Sequence, residues 1–259
     1  MPFRVELPET FASALDAADR PLVGMWVCSG SPVAAEIAGC SGLDWVLLDG
    51  EHSPIGLETT ASLLRALAAY PTTPMVRVPE LNPALIKQFL DLGAQNLLVP
   101  MIDTAEEARR AVEAVRYPTG GVRGVGSALA RASRWGAVEG YLGRAEETIS
   151  LTVQIESETA VANADEIAAV DGVDAIFVGP SDLAASMGVL GEQTHPDVTA
   201  AVLSVFDKVR AAGKRVGVNA FNHEQAQKYL DAGASFVLVG ADVQLLTQAS
   251  RDLAEKFID

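Results

Sequence analysis

The chain is short of the residues that would build a metal cage, a disulfide framework or a polyanion-binding face. Its 259 residues include two cysteines, Cys28 and Cys40, and three histidines. Two cysteines without metal-ligand spacing make neither a zinc site nor a disulfide scaffold, which fits a reducing compartment. Cys28 falls at the end of an apolar run and is read as a small apolar filler that borders any pocket there. Basic residues number 19 against 34 acidic ones, for a formal charge of −15. That balance argues against nucleic acid or an anionic membrane as partner, because both require a basic surface that displaces counterions. No apolar run approaches the roughly 18 to 20 residues that cross a bilayer. The opening MPFRVELPETF lacks the apolar centre of a secretory signal, so a cytoplasmic protein is expected. No Pro/Ser/Gly-rich linker or charge block divides the chain, so a single domain over 1–259 is expected.

What the chain does contain is a repeated unit. Apolar runs of four to six aliphatic or β-branched residues, without polar alternation, read as parallel strands buried on both faces. They fall at 22–28, 45–49, 75–78, 96–100, 151–155, 175–179, 215–219 and 236–240, each followed by helical periodicity. Eight β-α units in about 250 residues match a (β/α)8 barrel, whose functional groups lie on the loops after the strands. A doubly wound sheet is the alternative, and it normally has fewer strands. Asn82, Thr104 and Asn222 stand at N-cap positions, and Gly93, Gly213 and Gly233 stand just past helix ends. The Gly-rich, basic stretch 119–136 interrupts the pattern between the fourth and fifth strands and reads as a long loop leading to an extra helix. Within it, Arg123 either meets an anionic ligand or makes structural contacts.

Several strands end on polar or ionisable residues, and in a barrel these gather at one rim. Glu156 follows the fifth strand and Asp182 the sixth, so two carboxylates face one another. A divalent cation relieves their repulsion, and oxygen-only ligation favours a hard ion such as Mg²⁺ or Mn²⁺ over zinc. The alternative is that each carboxylate caps a helix or pairs with an arginine. Arg77 ends the third strand, where a planar guanidinium suits a carboxylate or an enolate oxygen. Buried, it needs an acidic partner, which Glu156 or Asp49 could supply. His52, two residues past Gly50, titrates in the range that moves protons at neutral pH. His195, before a proline at a helix start, and His223, on a surface helix, read as structural. Trp26 ends the first strand and either walls the pocket or packs the barrel top.

Other absences narrow the chemistry. Imine formation needs a lysine in the pocket, yet Lys87, Lys208, Lys228 and Lys256 fall on helices and Lys214 at the far end of the seventh strand. The loops after strands seven and eight offer only Gly240 toward a phosphate grip, so phosphosugars are disfavoured.

Taken together, G-x-W near Gly24, L-D-x-E-H at Leu48 to His52, V-R-V-P at Val76, R-G with A-R-A at Arg123 to Ala132, Q-I-E at Gln154 and G-P-x-D-L at Gly179 resemble the HpcH/HpaI family of metal-dependent pyruvate aldolases. The resemblance runs from Trp26 to Gly240. It implies a (β/α)8 TIM barrel in which Glu156 and Asp182 hold Mg²⁺, Mn²⁺ or Co²⁺, with no organic cofactor. It further implies a 2-oxo acid and an aldehyde as substrates, with Arg77 on the keto oxygen and His52 moving the proton. Trp26, Gln154, Gly179, Pro180, Ser181, Asp182 and Arg123 would contact substrate, and the amides of Ser181 and Asp182 would receive its carboxylate. Asp49 belongs to the catalytic set. Asp91 of a neighbouring subunit would polarise His52 in a hexamer, a trimer of dimers with the last helix exchanged. A CoA-thioester lyase of the malyl or citramalyl type is the nearest alternative, weakened by the lack of a CoA-sized basic patch. A non-catalytic sugar-acid binding protein is the alternative of another class.

Overall fold

Eight parallel strands pair in sequence order and close on themselves in the computed structural model, which describes residues 5–258. Residues 1–4 and 259 of the expected domain lie outside the described residues. The strands are β1 (Leu22–Val27), β2 (Trp45–Asp49), β3 (Thr73–Arg77), β4 (Asn96–Val99), β5 (Ser150–Ile155), β6 (Ala175–Val178), β7 (Arg215–Asn219) and β8 (Phe236–Ala241). Each lies within two residues of the run expected from the apolar pattern. The helices are α1 (Phe11–Ala17), α2 (Pro32–Gly39), α3 (Leu57–Leu67), α4 (Pro83–Asp91), α5 (Ala105–Val115), α6 (Tyr141–Arg144), α7 (Glu158–Ala162), α8 (Ala164–Ala168), α9 (Pro180–Ser186), α10 (Pro196–Ala211), α11 (His223–Asp231) and α12 (Asp242–Ile258). No helix among the described residues is long and apolar enough to cross a membrane.

Local signals set the register. Asn82 accepts from the amides of Ala84 and Leu85, Asn222 from that of Gln225, and Thr104 forms a capping box with Glu107. Gly93, Gly213 and Gly233 have positive φ where the chain leaves α4, α10 and α11. Stretch 119–136 holds two 3₁₀ turns, Ser127–Leu129 and Arg131–Ser133, and the extra helix beyond it is the single turn α6. Helix α1 was not anticipated. Its cap is Thr10, whose side chain accepts from the Ser13 amide, and Phe11 and Leu15 form its buried face.

Alternation along the strands sorts side chains into two layers. Val46, Leu48, Val76, Val153, Ile176 and Val218 join the layer between sheet and helices. Leu47, Met75, Leu98, Phe177, Phe236 and Leu238 point into the barrel. The interior carries a column of rings: Phe11 lies 5.2 Å from Phe236, Phe236 6.0 Å from Phe177, and Phe177 6.5 Å from Trp26. Trp45 fills the side of this column, 5.6 Å from Phe236.

Gly217 makes room for that column. A Cβ there would stand 2.3 Å from the Phe236 ring, and the rings of Phe11, Trp45 and Phe177 around Phe236 leave it nowhere to move. Overpacking of this kind costs about 1–3 kcal/mol. Gly217→Ala is therefore expected to lower the melting temperature by several degrees, measured by thermal unfolding; an unchanged melting curve would show that the interior has slack.

Candidate active site

The inward parity that places Leu47, Met75 and Phe177 in the core brings the next inward residue of each strand to the carboxyl-terminal rim. Trp26, Asp49, Arg77, Gln154, Gly179 and Asn219 arrive there and wall a cavity of about 200 Å³, joined by Cys28, His52, Phe177, Pro180, Ser181, Asp182, Phe221 and Ala241. Larger clefts, of about 430 Å³ beside α5 and about 390 Å³ at the amino-terminal end of the barrel, lie away from the strand ends where barrel chemistry is done.

Arg77 is the centre of the site. Residues Asp49 and Arg77 are direct neighbours in the β2–β3 pairing, so both reach the rim at one level. Nε of Arg77 donates to Asp49 Oδ1 at 2.9 Å, and one terminal nitrogen lies 2.8 Å from the same oxygen. The other is 2.9 Å from Glu51 Oε2. That Glu51 oxygen is buried without an aligned hydrogen bond, so charge rather than direction holds this second pair. The guanidinium carbon lies 4.4 Å over the Trp26 ring. Of the two partners expected for Arg77, Asp49 is the one observed. Glu51 joins it, which the sequence reading did not weigh although it stands inside the D-x-E-H motif.

Asp49 also organises the loop that follows. Its Oδ1 accepts from the amides of Glu51 at 3.1 Å and His52 at 3.4 Å, and Oδ2 accepts from the Ser53 hydroxyl at 3.2 Å. His52 is thereby held at the rim, its side chain 65% exposed and its Nε2 3.8 Å from Glu51 Oε2. Cys28 lines the cavity, and burial pushes its thiol up to about 11; it stays protonated near neutrality, as a filler would.

Glu156 sits immediately behind the cavity wall. Its Oε1 accepts from the Met101 amide at 2.8 Å and its Oε2 from the Gln154 amide nitrogen. Burial pushes its carboxyl up to about 7, against those hydrogen bonds, with Asp182 and Glu51 adding like-charge repulsion. Burial likewise raises Glu51. A Cβ at Gly179 would stand 2.7 Å from Glu156 Oε2 and 2.9 Å from the Gln154 nitrogen, so only glycine leaves space for this arrangement. Asp182, in the first turn of α9, is exposed on the cavity wall, and no described side chain or backbone group hydrogen-bonds or ion-pairs with it. The Ser181 and Asp182 backbone occupies the same turn. This donor set is acidic, oxygen-only and short of positive charge, which fits a hard divalent ion at Glu156 and Asp182. Among the described residues no group of three His, Cys, Asp or Glu side chains forms a complete cage, so water and substrate would fill the remaining positions.

Two expected residues lie elsewhere. Arg123 does not reach the cavity: its side chain is fully buried, 2.7 Å from Asp91 Oδ1, with its guanidinium carbon 4.5 Å over the Tyr117 ring. Within its own chain Arg123 makes the structural contacts that are one of its two expected roles and does not meet the cavity. Asp91 closes α4 in that same pair, away from His52 of its own chain. The structure adds Asn219, Phe177 and Phe221 to the wall. The rule that strands end on functional polar residues would have found Asn219, because RVGVN ends on it.

The raised Glu156 carboxyl has a consequence for stability in the absence of a divalent ion. The folded state holds the proton up to about pH 7, whereas the unfolded chain releases it near 4.3. Stability is therefore full below the unfolded value and falls as pH rises through the folded one, by up to about 3 kcal/mol for this group. In Glu156→Gln the introduced amide cannot ionise, and Gln154 can turn its unpartnered Oε1 toward it. Urea unfolding of chelator-treated protein between pH 5 and 8 should show a flatter pH dependence in the variant; parallel curves would place the Glu156 pKa near its ordinary value.

Comparison with known proteins assigns the chain a family. Residues 22–249 match the model of the HpcH/HpaI aldolase/citrate lyase family. A hydroxypyruvate/pyruvate aldolase of Deinococcus radiodurans is 52% identical over 253 residues, covering 98% of this chain and 91% of that one. A 4-hydroxy-2-oxo-heptane-1,7-dioate aldolase of Shigella sonnei is 46% identical, covering 97% and 95%. The crystal structure of an HpcH/HpaI aldolase/citrate lyase family protein from Burkholderia cenocepacia superposes with a TM-score of 0.91 at 40% identity, covering 96% of this chain and 98% of that one. The chain thus belongs to the HpcH/HpaI aldolase/citrate lyase family.

Proposed function

We propose that this protein is a divalent-metal-dependent aldolase that cleaves or forms 4-hydroxy-2-oxo acids, with pyruvate or hydroxypyruvate as one product and an aldehyde as the other. The observation that carries this reading is Arg77: a buried guanidinium fixed by Asp49, Glu51 and Trp26 at a cavity that also presents Asp182 and His52. Among the described residues its Nε–H alone makes an aligned hydrogen bond, and each terminal nitrogen, although ion-paired, carries two N–H groups, enough to serve a ligand oxygen as well. The names of the Deinococcus and Shigella relatives support the same reaction class.

In this reading Glu156 and Asp182 hold Mg²⁺, Mn²⁺ or Co²⁺. The ion, when bound, supplies Lewis-acid attraction for the oxygens of a 2-oxo acid. Arg77 donates to the C2 oxygen and stabilises the negative charge that collects there as the C3–C4 bond breaks. Amides in the first turn of α9 receive the carboxylate. His52, its side chain exposed at the rim, takes the proton from the C4 hydroxyl as the aldehyde forms, and the enolate is then protonated at C3. Synthesis runs through the same contacts in reverse.

The proposal extends to a hexamer in which Asp91 of a neighbouring copy approaches His52 and α12 is exchanged. In its support, α12 has no buried residue and exposes Leu245, Leu246, Leu253 and Phe257.

Metal dependence is tested with chelator. EDTA should abolish pyruvate release from a 4-hydroxy-2-oxo acid, and Mg²⁺, Mn²⁺ or Co²⁺ should restore it; full activity in metal-free protein, or substrate trapping by borohydride, would defeat the mechanism. Absence of pyruvate release even from metal-loaded protein would favour a binding protein instead.

The roles of Arg77 and His52 separate by isotope exchange. Arg77→Ala and Arg77→Lys should lose both cleavage and exchange of the pyruvate methyl protons by about 10²-fold or more, Lys failing because it lacks the planar fork. His52→Ala should lose cleavage by the order of 10², with a smaller or equal loss of exchange. NMR in D₂O beside a coupled cleavage assay measures both, and near-normal exchange in Arg77→Ala would remove Arg77 from the role given it.

A further inference from the structure

Asn219 ends β7 facing into the barrel, one inward step above Gly217, and lines the cavity. The two ends of its side chain differ: the carbonyl oxygen accepts and the amide nitrogen donates. An indole N–H can only donate, and Trp26 Nε1 lies 2.8 Å from Asn219 Oδ1. This bond fixes which way the amide points. Trp26 cannot turn to release it, because Phe177 meets the indole edge-on at 73° and the Arg77 guanidinium covers its face. Asn219 Nδ2 is therefore presented as a donor, and no described residue accepts from it. Asn219 as a whole is only 7% exposed, and its unpartnered amide nitrogen opens on the cavity it lines.

A neutral amide donor matches a neutral acceptor. In the aldolase reading the charged oxygens of a 2-oxo acid have stronger partners in Arg77, in the amides of α9 and in the ion that Glu156 and Asp182 would hold, which leaves a hydroxyl as the suited ligand for Nδ2. Arg77 lies on the face of the same ring whose edge holds Asn219, so a ligand whose C2 oxygen meets Arg77 brings a carbon next to C2 toward Nδ2. In the aldolase reading the amides of α9 take the carboxylate, which leaves C3 for the Asn219 side. The aldehyde approaches from the open side, near the half-exposed Phe221.

We propose that Asn219, oriented by Trp26, is a specificity-determining residue that donates to a hydroxyl on C3 of the 2-oxo acid, so that 3-hydroxy-2-oxo acids are favoured over their methyl analogue. This rests on the aldolase reading above. Pyruvate carries a methyl group at C3 and leaves the donor unanswered; hydroxypyruvate answers it. A site built to hydrogen-bond a hydroxyl discriminates against the analogue lacking it, because its own polar group is then left unpaired.

The test removes the aldehyde from the measurement. With Mn²⁺-loaded protein in D₂O, NMR follows exchange of the C3 protons of hydroxypyruvate and of pyruvate, and the ratio of the two rates is compared across variants. Because both acids are measured on one preparation, a general loss of folded protein cancels. Asn219→Leu should lower the hydroxypyruvate-to-pyruvate ratio by about tenfold, the loss of one hydrogen bond. Trp26→Phe keeps a ring but frees the amide to flip, and should lower the ratio by less; Asn219→Ala serves if the leucine variant does not fold. In a second arm pyruvate is added to a hydroxylated and to an unsubstituted aldehyde, and the preference between them should not change. An unchanged exchange ratio in the Asn219 variants, or a change confined to the aldehyde arm, overturns the assignment. If the wild-type protein exchanges neither acid, the aldolase reading fails and this inference fails with it.

Discussion

A guanidinium buried at the rim of the barrel needs a carboxylate, and the site is organised around that need. Removing one member of a buried ion pair leaves a stranded charge and costs about 3–5 kcal/mol, so Arg77 and Asp49 constrain one another wherever the backbone allows. Strand pairing sets them side by side. From Asp49 the constraint spreads to the amides of Glu51 and His52 and to the Ser53 hydroxyl, so a rigid strand end shapes a loop that would otherwise be free. The same ion pair fixes a cation on the cavity wall and an imidazole at the opening.

Beneath this layer the barrel holds an apolar column rather than further charge. Phe11, Phe236, Phe177 and Trp26 stack upward through the interior, and the last of them bears Arg77 on its face and Asn219 on its edge. Aromatic rings suit this support because they fill much volume with few rotamers. Their packing carries the floor of the cavity, and the polar groups above contribute orientation. The acidic pair at Glu156 and Asp182 stands beside the column, where burial works against its ionisation.

The fold was legible because a strand covered on both faces leaves an unbroken apolar run, and such a run survives any choice of loop. The rim positions of Asp49, Arg77, Glu156 and Asp182 were legible for a related reason: an ionisable residue at the end of such a run, or within a few residues past it, stands out. What escaped detection depends on contacts across the barrel. Nothing local marks Glu51 as the second carboxylate on Arg77, since a glutamate in a loop is ordinarily solvated. Asn219 gains its meaning from Trp26, 193 residues earlier. Arg123 was ambiguous because a basic residue in a glycine-rich loop looks alike whether it faces a ligand or a buried aspartate; burial against Tyr117 and Asp91 decides it. Helix α1 escaped because seven residues carry too little periodicity to separate from coil.

That short helix closes the opposite end of the barrel. The Phe11 amide donates to Asn96 Oδ1 at 2.7 Å while Asn96 Nδ2 donates to the Pro74 carbonyl at 2.9 Å, and the Phe11 ring is driven 5.0 Å from Trp45. The barrel is thus a well with a floor, not a tube. Anything that enters the rim cavity can leave only through the opening by which it came.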